Sequence, residues 1–205
     1  MTSLQIKPLD DSERNTSSIV KLVESAVDKS QNYRDEISVL KTRILELEQT
    51  ADTDPLVPVY NRRALMREIG RAQTLMSRYD ILCSIIFFDL NGFKKINDQY
   101  GHSAGDDLLI KVGAILSASV RDCDMVARIG GDEFGVLLFK SEEMVARAKA
   151  ASLACRIASQ YVGVLGEKIS ISAAWGVSAC HPEDTARQIL HRADRAMYDS
   201  KPDRE

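Results

Sequence analysis

Apolar positions along the chain follow two different periods, and the change between them falls near residue 51. From Thr16 the period is a heptad. One seam position holds Thr16, Val23, Ser30, Ile37 and Ile44; the other holds Ile19, Ala26, Tyr33, Leu40 and Leu47. Lys21, Glu24, Arg34, Glu36, Lys41 and Arg43 fall outside that seam. Five heptads without Pro or Gly predict a dimerising coiled-coil helix over 16–50, tighter from Ile37 onward. A seam of two positions per heptad is narrower than the stripe a globular core takes from a helix. The alternative is one amphipathic helix folded back on its own domain. Residues 1–15 are largely polar and predict a flexible N-terminus.

The stretch "ADTDPLVPVYNRRAL" breaks the heptads. Pro55 and Pro58 end the helix, and Asn61 can cap a new one running through Met66 and Ile69. A second domain, 51–205, therefore begins here. Beyond it, "ILCSIIFFDL" (81–90) predicts a strand, 105–120 a helix, and "VARIGGDEFGVLLF" a hairpin. "EEMVARAKAASLACRIASQY" predicts a long helix and "TARQILHRADRAMYDSK" a closing one. "KISISAAWGVSA" alternates, with Ile169, Ile171, Ala173, Trp175 and Val177 on one face of a single strand. Interleaved strands and helices plus a true hairpin predict an α/β (α+β) domain: a mixed central sheet flanked by helices.

Composition changes this picture little. The 205 residues, 44% of them hydrophobic, suffice for one full core and an appendage. A formal charge of -3 gives no basic surface for tracking DNA or RNA. No apolar run is long enough for membrane insertion, and the polar start is unlike a signal peptide. Cys83, Cys123, Cys155 and Cys180 lie far apart without a C-x-x-C pair, so buried or idle thiols in a reducing cytoplasm are expected.

The chemistry gathers at strand ends. Asp89 follows the apolar run "SIIFF", and Asp132 and Glu133 sit at the tip of a hairpin with apolar arms. A lone acid at either place is ordinarily a polar strand end or a turn residue. Brought together, such carboxylates repel unless a cation neutralises them. Hard oxygens on rigid strand ends suit Mg²⁺, which completes its shell with water and phosphate. Gly130 and Gly131 let main chain approach a ligand closely. After Asp89, "LNGFKKIND" turns at Gly92 and starts a helix whose free N–H groups, with Lys94 near, attract phosphate.

"GGDEF" at 130–134 is the signature of the GGDEF family of diguanylate cyclases, and the resemblance extends over residues 52–201. "NRRAL" resembles the family's first helix. "FFDLNGFKKINDQYGHSAGDDLL" resembles its metal, phosphate and guanine segment, "ISISAAWGVS" its late strand and "ADRAMYDSK" its final helix. The resemblance implies a palm-like fold and the condensation of two GTP, one on each of two facing domains, into cyclic di-GMP with release of pyrophosphate. It implies that Asp89 and Asp132, with the carbonyl of Leu90, hold Mg²⁺ (or Mn²⁺). Asp132 is implied as catalytic, and Glu133 as support for the metals. Gly92, Phe93, Lys94 and Lys201 would meet the phosphates, and Asn97, His102 and Asp106 the guanine. Arg121 and Asp124 match the R-x-x-D pair of an inhibitory product site, where Arg can bind guanine bidentately.

Three departures stand out. "LVPV" (56–59) replaces the family's L-T-G-L, which alters what reads as a linker turn. The C-terminal "KPDRE" lacks the family's glycine-arginine pair, leaving Arg204 one place short. No sensory domain is recognisable ahead of the second domain, so the coil is the place for control, by homodimerisation and by a regulatory protein. The expectation is an active cyclase in the cytoplasm; the competing expectation is a silent domain that serves as a cyclic di-GMP receptor or scaffold.

Overall fold

The computed structural model describes residues 11–50, 52–164 and 167–201. Residues 1–10 of the expected flexible N-terminus, and Arg204, lie outside them. The chain divides into two units at the Ala51–Asp52 boundary. The first is one helix, α1 (Asp11–Thr50). It starts at Asp11 rather than Thr16, and Val23, Tyr33, Ile37, Leu40 and Leu47 of the heptad seam are exposed on it.

The second unit runs β1 (Tyr60–Asn61), α2 (Arg62–Tyr79), β2 (Cys83–Leu90), α3 (Phe93–Tyr100), α4 (His102–Ser117), β3 (Met125–Gly130) and β4 (Glu133–Phe139). It continues with α5 (Glu143–Ala158), β5 (Tyr161–Val164), β6 (Glu167–Ser170), β7 (Ala173–Ala179) and α6 (Ala186–Ser200). Five strands form one sheet in the order β1-β3-β4-β2-β7. Strand β1 is parallel to β3 and the other pairs are antiparallel, so the sheet is mixed, as the pattern predicts. β5 and β6 form a separate antiparallel ribbon.

Strand β2 is apolar almost throughout because both its faces are covered. Ile86, Phe88 and Leu90 enter one core with Leu108, Leu109 and Val112 of α4 and Leu153 and Ile157 of α5. Cys83, Ile85 and Phe87 enter a second with Leu65 and Ile69 of α2 and Ile189, Leu190 and Met197 of α6. Burying each large side chain contributes about 1.5–3 kcal/mol, so the two layers hold the sheet rigidly between them. The four cysteines are free thiols. Burial pushes the Cys83 thiol up to about 11 and that of Cys180 up to about 12, which keeps both protonated and unreactive near neutrality.

Helix starts follow their caps. Asn61 accepts a hydrogen bond from Ala64 N at 2.9 Å and opens α2, and Thr185 forms a capping box with Gln188 at the start of α6. The helix expected over 105–120 runs instead over α4, His102–Ser117. "KISISAAWGVSA" is two strands rather than one. Ser172 leaves the ribbon to meet Asn91, its carbonyl accepting from Asn91 N at 2.9 Å and its Oγ from Asn91 Nδ2 at 3.0 Å. Ile171, Ala173, Trp175 and Val177 nevertheless share the first core, whereas Ile169, the fifth member of the expected facing set, lies on the ribbon and is not part of it. Tyr161, expected at a helix end, opens β5. The "LVPV" segment is also more than a linker, since Val57 and Val59 are buried over α4.

Candidate active site

Antiparallel pairing of β2 with β4 sets Asp89 opposite Glu133. Side chains directly opposite each other share a face. Asp89 has the parity of Ile85 and Phe87, so this face is the one covered by α2 and α6. Leu90 N donates to the Asp132 carbonyl at 3.3 Å, which ties the hairpin tip to the end of β2. Asp89, Asp132 and Glu133 thus come together at one corner of the sheet, and Leu90 beside them is buried in the opposite core. The end of α6 adds a cation: Lys201 Nζ donates to Asp89 Oδ1 at 2.8 Å.

Burial first, and mutual repulsion second, raise two of the acids. Burial pushes the Asp132 carboxyl up from its ordinary value, and the Asp89 charge pushes the same way against Lys201 and Arg128. Burial likewise raises Glu133, helped by Asp89, Asp194 and Asp132 and opposed by Arg62. A corner that disfavours its own ionised carboxylates is one that a bound cation would stabilise. Among the described residues no group of three or more His, Cys, Asp or Glu side chains is placed to hold a metal ion, so Asp89, Asp132 and Glu133 are neighbours whose carboxylates do not all converge on one point. The donor set suits a hard divalent ion that draws its other oxygens from main chain, water and phosphate.

The hairpin tip has a brace that the sequence reading missed. Arg128 donates from Nε and Nη2 to the Gly131 carbonyl, at 2.9 and 2.8 Å, and from Nη1 to Asp54 Oδ1 at 3.1 Å. That same oxygen accepts from Leu56 N and Val57 N at 3.0 and 2.9 Å. Arg128 and Asp54 are 15% and 14% exposed, so their charges are largely shielded from water. Gly131 takes φ 48°, in the left-handed region, which allows the tight turn. An arginine two residues before a Gly-Gly turn, and an acid ahead of two buried valines, were the available signals.

The phosphate-side residues also assemble. Gly92, at φ 73°, precedes the first turn of α3. A cavity of ≈ 470 Å³ is lined by Asp89, Asn91, Gly92, Trp175, Ser200 and Lys201. Lys94 is exposed at the start of α3, whereas Phe93 packs against the first core. One turn further along α3, Asn97 is half-buried, and His102 and Asp106 are exposed near the start of α4.

Arg121 and Asp124 lie away from this corner, between α4 and β3. Asp124 Oδ2 accepts from Arg121 N at 3.1 Å and Oδ1 from Phe139 N at 3.0 Å. Asp124 therefore holds the turn together, a role the R-x-x-D reading did not anticipate. Arg121 is exposed at the rim of a cavity of ≈ 670 Å³ that also reaches Tyr60, Arg67 and Arg71.

Residues 51–205 match the family model described as "Diguanylate cyclase, GGDEF domain". The chain is 37% identical over 188 residues to the bifunctional diguanylate cyclase/cyclic di-GMP phosphodiesterase MucR of Pseudomonas aeruginosa, covering 89% of this chain and 27% of MucR. It spans between 27% and 32% of the length of the first curated relatives it matches. Among solved structures, it resembles the diguanylate cyclase SiaD of P. aeruginosa in complex with its activator SiaC, with a TM-score of 0.70 and 28% identity. That likeness covers 92% of this chain and 71% of SiaD. The GGDEF domain of DgcB from Caulobacter crescentus, in complex with c-di-GMP, gives a TM-score of 0.69 at 25% identity, covering 73% and 90%. A mixed five-stranded sheet, its acidic hairpin tip and these similarities place the chain in the GGDEF family of diguanylate cyclase domains.

Proposed function

We propose that this chain is an active diguanylate cyclase that condenses two GTP into cyclic di-GMP. The observation that carries the reading is the pairing of Asp89 with Glu133, with Asp132 tied alongside and Lys201 facing them. Each 3′-hydroxyl oxygen bonds to the α-phosphorus of the opposite nucleotide. Two bonds from α-phosphorus to bridging oxygen break, two pyrophosphates leave, and two protons pass to solvent.

Asp89, Asp132, Glu133 and the Leu90 carbonyl are the groups that would hold Mg²⁺ or Mn²⁺. When bound, the ion supplies positive charge to the α-phosphate and eases loss of the 3′-hydroxyl proton. Gly92, Phe93 and Lys94 present main-chain N–H groups and an ammonium to the β- and γ-phosphates. Lys201, at the wall of the same cavity, adds a second ammonium. Asn97, Asp106 and His102 face the base, where polar groups left mismatched by adenine would favour guanine.

Each domain holds one GTP, so turnover needs two domains face to face. The exposed seam of α1 supports homodimerisation over residues 16–50. A short tether raises the local concentration of partner domains to the millimolar range, roughly. A regulatory protein acting on the coil fits the same reading, as SiaD is crystallised with an activator. Arg121, with Asp124 shaping its turn, is the place for product feedback. The DgcB domain is crystallised with c-di-GMP, which fits a domain of this family that binds the product.

The test is direct. Purified protein is incubated with GTP and Mg²⁺, and cyclic di-GMP and pyrophosphate are quantified. Two pyrophosphates per cyclic dinucleotide are expected. A protein that binds cyclic di-GMP yet makes none would instead be a receptor.

A further inference from the structure

Asn97 Oδ1 is buried and has no hydrogen-bond partner among the described residues. Its neighbour is Gly105 of α4. A Cβ built on Gly105 would lie 1.9 Å from Asn97 Oδ1, 3.0 Å from its Cγ and 3.1 Å from Phe93 Cζ. The carboxamide oxygen therefore lies in the direction in which any other residue would carry its side chain. Gly105 has a Cα–H there, and a Cα–H directed at an oxygen is a weak but favourable contact. The opposite orientation would set the amide hydrogens against that Cα–H. Nδ2, on the other limb of the same planar group, is not buried.

We propose that Gly105 is a positioning residue for base selection: by lacking a side chain, it seats Asn97 Oδ1 on α4 and turns Asn97 Nδ2 outward as a donor, to act together with the carboxylate of Asp106, the next residue of α4. A fixed donor beside an acceptor fits the guanine edge, where O6 accepts and the adjoining N1–H and N2 amino group donate. The adenine edge carries its acceptor and donor in the reverse order. A carboxamide free to turn over would serve both. The inference rests on the proposed nucleotide site and extends it to the residue that orients the base contact.

The test uses the full chain and binding of 3′-deoxy-GTP and 3′-deoxy-ATP with Mg²⁺, since nucleotides without the attacking hydroxyl bind but do not turn over. Gly105→Ala should weaken 3′-deoxy-GTP roughly tenfold and erase most of the preference over 3′-deoxy-ATP, the size expected for a lost polar contact in a specificity site. Because Gly105 acts through Asn97, the double variant Asn97→Ala/Gly105→Ala should bind like Asn97→Ala alone. A Gly105→Ala protein with wild-type affinity and selectivity overturns the proposal, as do additive losses in the double variant. If Gly105→Ala melts early, the double variant, which removes the two Asn97 atoms that the new Cβ meets and leaves only Phe93 Cζ at 3.1 Å, should regain most of the lost stability; no recovery overturns it too. Wild type that binds 3′-deoxy-GTP but makes no cyclic di-GMP from GTP defeats the cyclase reading and leaves this test in force. Wild type that binds neither analogue defeats both.

Discussion

Lys201 Nζ sits 2.8 Å from Asp89 Oδ1, so the residue that ends α6 is fastened to the acidic end of β2 across 112 residues of sequence. The pair is a quarter exposed and solvent-screened, so it contributes little to stability by itself. Its interest is functional, because Lys201 occupies the carboxylate that a divalent cation would take. Lys201→Met should bind Mn²⁺ roughly two- to fivefold more tightly in the absence of nucleotide, the range of a screened ion pair, while losing affinity for GTP. Electron paramagnetic resonance titration measures the first and calorimetry the second; weaker Mn²⁺ binding would show that Lys201 orders the site and does not compete for it.

The raised Asp132 and Glu133 carboxyls set a pH dependence. The folded protein holds these protons more tightly than the unfolded chain. In the window just above the ordinary values of 3.8 and 4.5, stability therefore falls as pH rises through the folded-state values. Asp52 and Asp184, whose carboxyls Arg67 and Arg192 hold low, act in the opposite direction. Comparing wild type with Asp132→Asn/Glu133→Gln isolates the corner. In EDTA at pH 7 the double variant should melt higher by about one or two degrees, and the gain should vanish at the acid end of the window. A variant that melts lower at pH 7 would mean the acids are satisfied without a cation. The same substitutions should abolish cyclase turnover.

Arg128 links the hairpin tip to Asp54, so its loss should be felt in both. Arg128→Met leaves the Gly131 carbonyl and Asp54 without their shared partner, at a cost of about 2 kcal/mol. Turnover should fall more than tenfold, roughly, because the acids sit on that tip. Chemical denaturation and initial rates check the two parts. An inactive variant with wild-type stability would limit Arg128 to the site.

Gly176 governs how closely α6 lies on β7. A Cβ there would meet Ala193 O and Met197 N at 2.1 Å each, and backbone atoms cannot swing aside. Gly176→Ala should cost about 3 kcal/mol and lower activity by displacing Lys201, four residues beyond Met197. Thermal melts and GTP titration read these effects. Full stability would show that α6 can slide without penalty.

The exposed apolar seam of α1 predicts concentration dependence. Ile37→Glu/Leu40→Glu should lower specific activity about tenfold or more at low protein concentration, with partial recovery as concentration rises. Sedimentation supplies the oligomeric state. Unchanged turnover in a demonstrated monomer would remove α1 from the mechanism.

Much of this molecule is legible in its residue pattern, because the relevant signals are local. The unbroken apolar run of β2, the Asn61 and Thr185 caps and the apolar arms around "GGDEF" each state their structure within a few residues. Asp89, Asp132 and Glu133 were recognisable as acids where strands end, and the family signature joined them. What the pattern missed depends on partners distant in sequence. The break at Ser172 exists because Asn91 holds it, and the brace on Gly131 needs Asp54, which arrives from the domain's first turn.

The sequence by itself determined most of the elements, the mixed sheet and which acids stand at its strand ends, since periodicity and capping act over one or two turns of chain. Only the tertiary structure decided their neighbours: strand register set Asp89 against Glu133, and close packing at Gly176 brought Lys201 within reach. The absence of a side chain at Gly105 likewise let Asn97 settle against α4. Register and helix approach depend on how whole faces fit one another, and that fit exists only after the chain has folded.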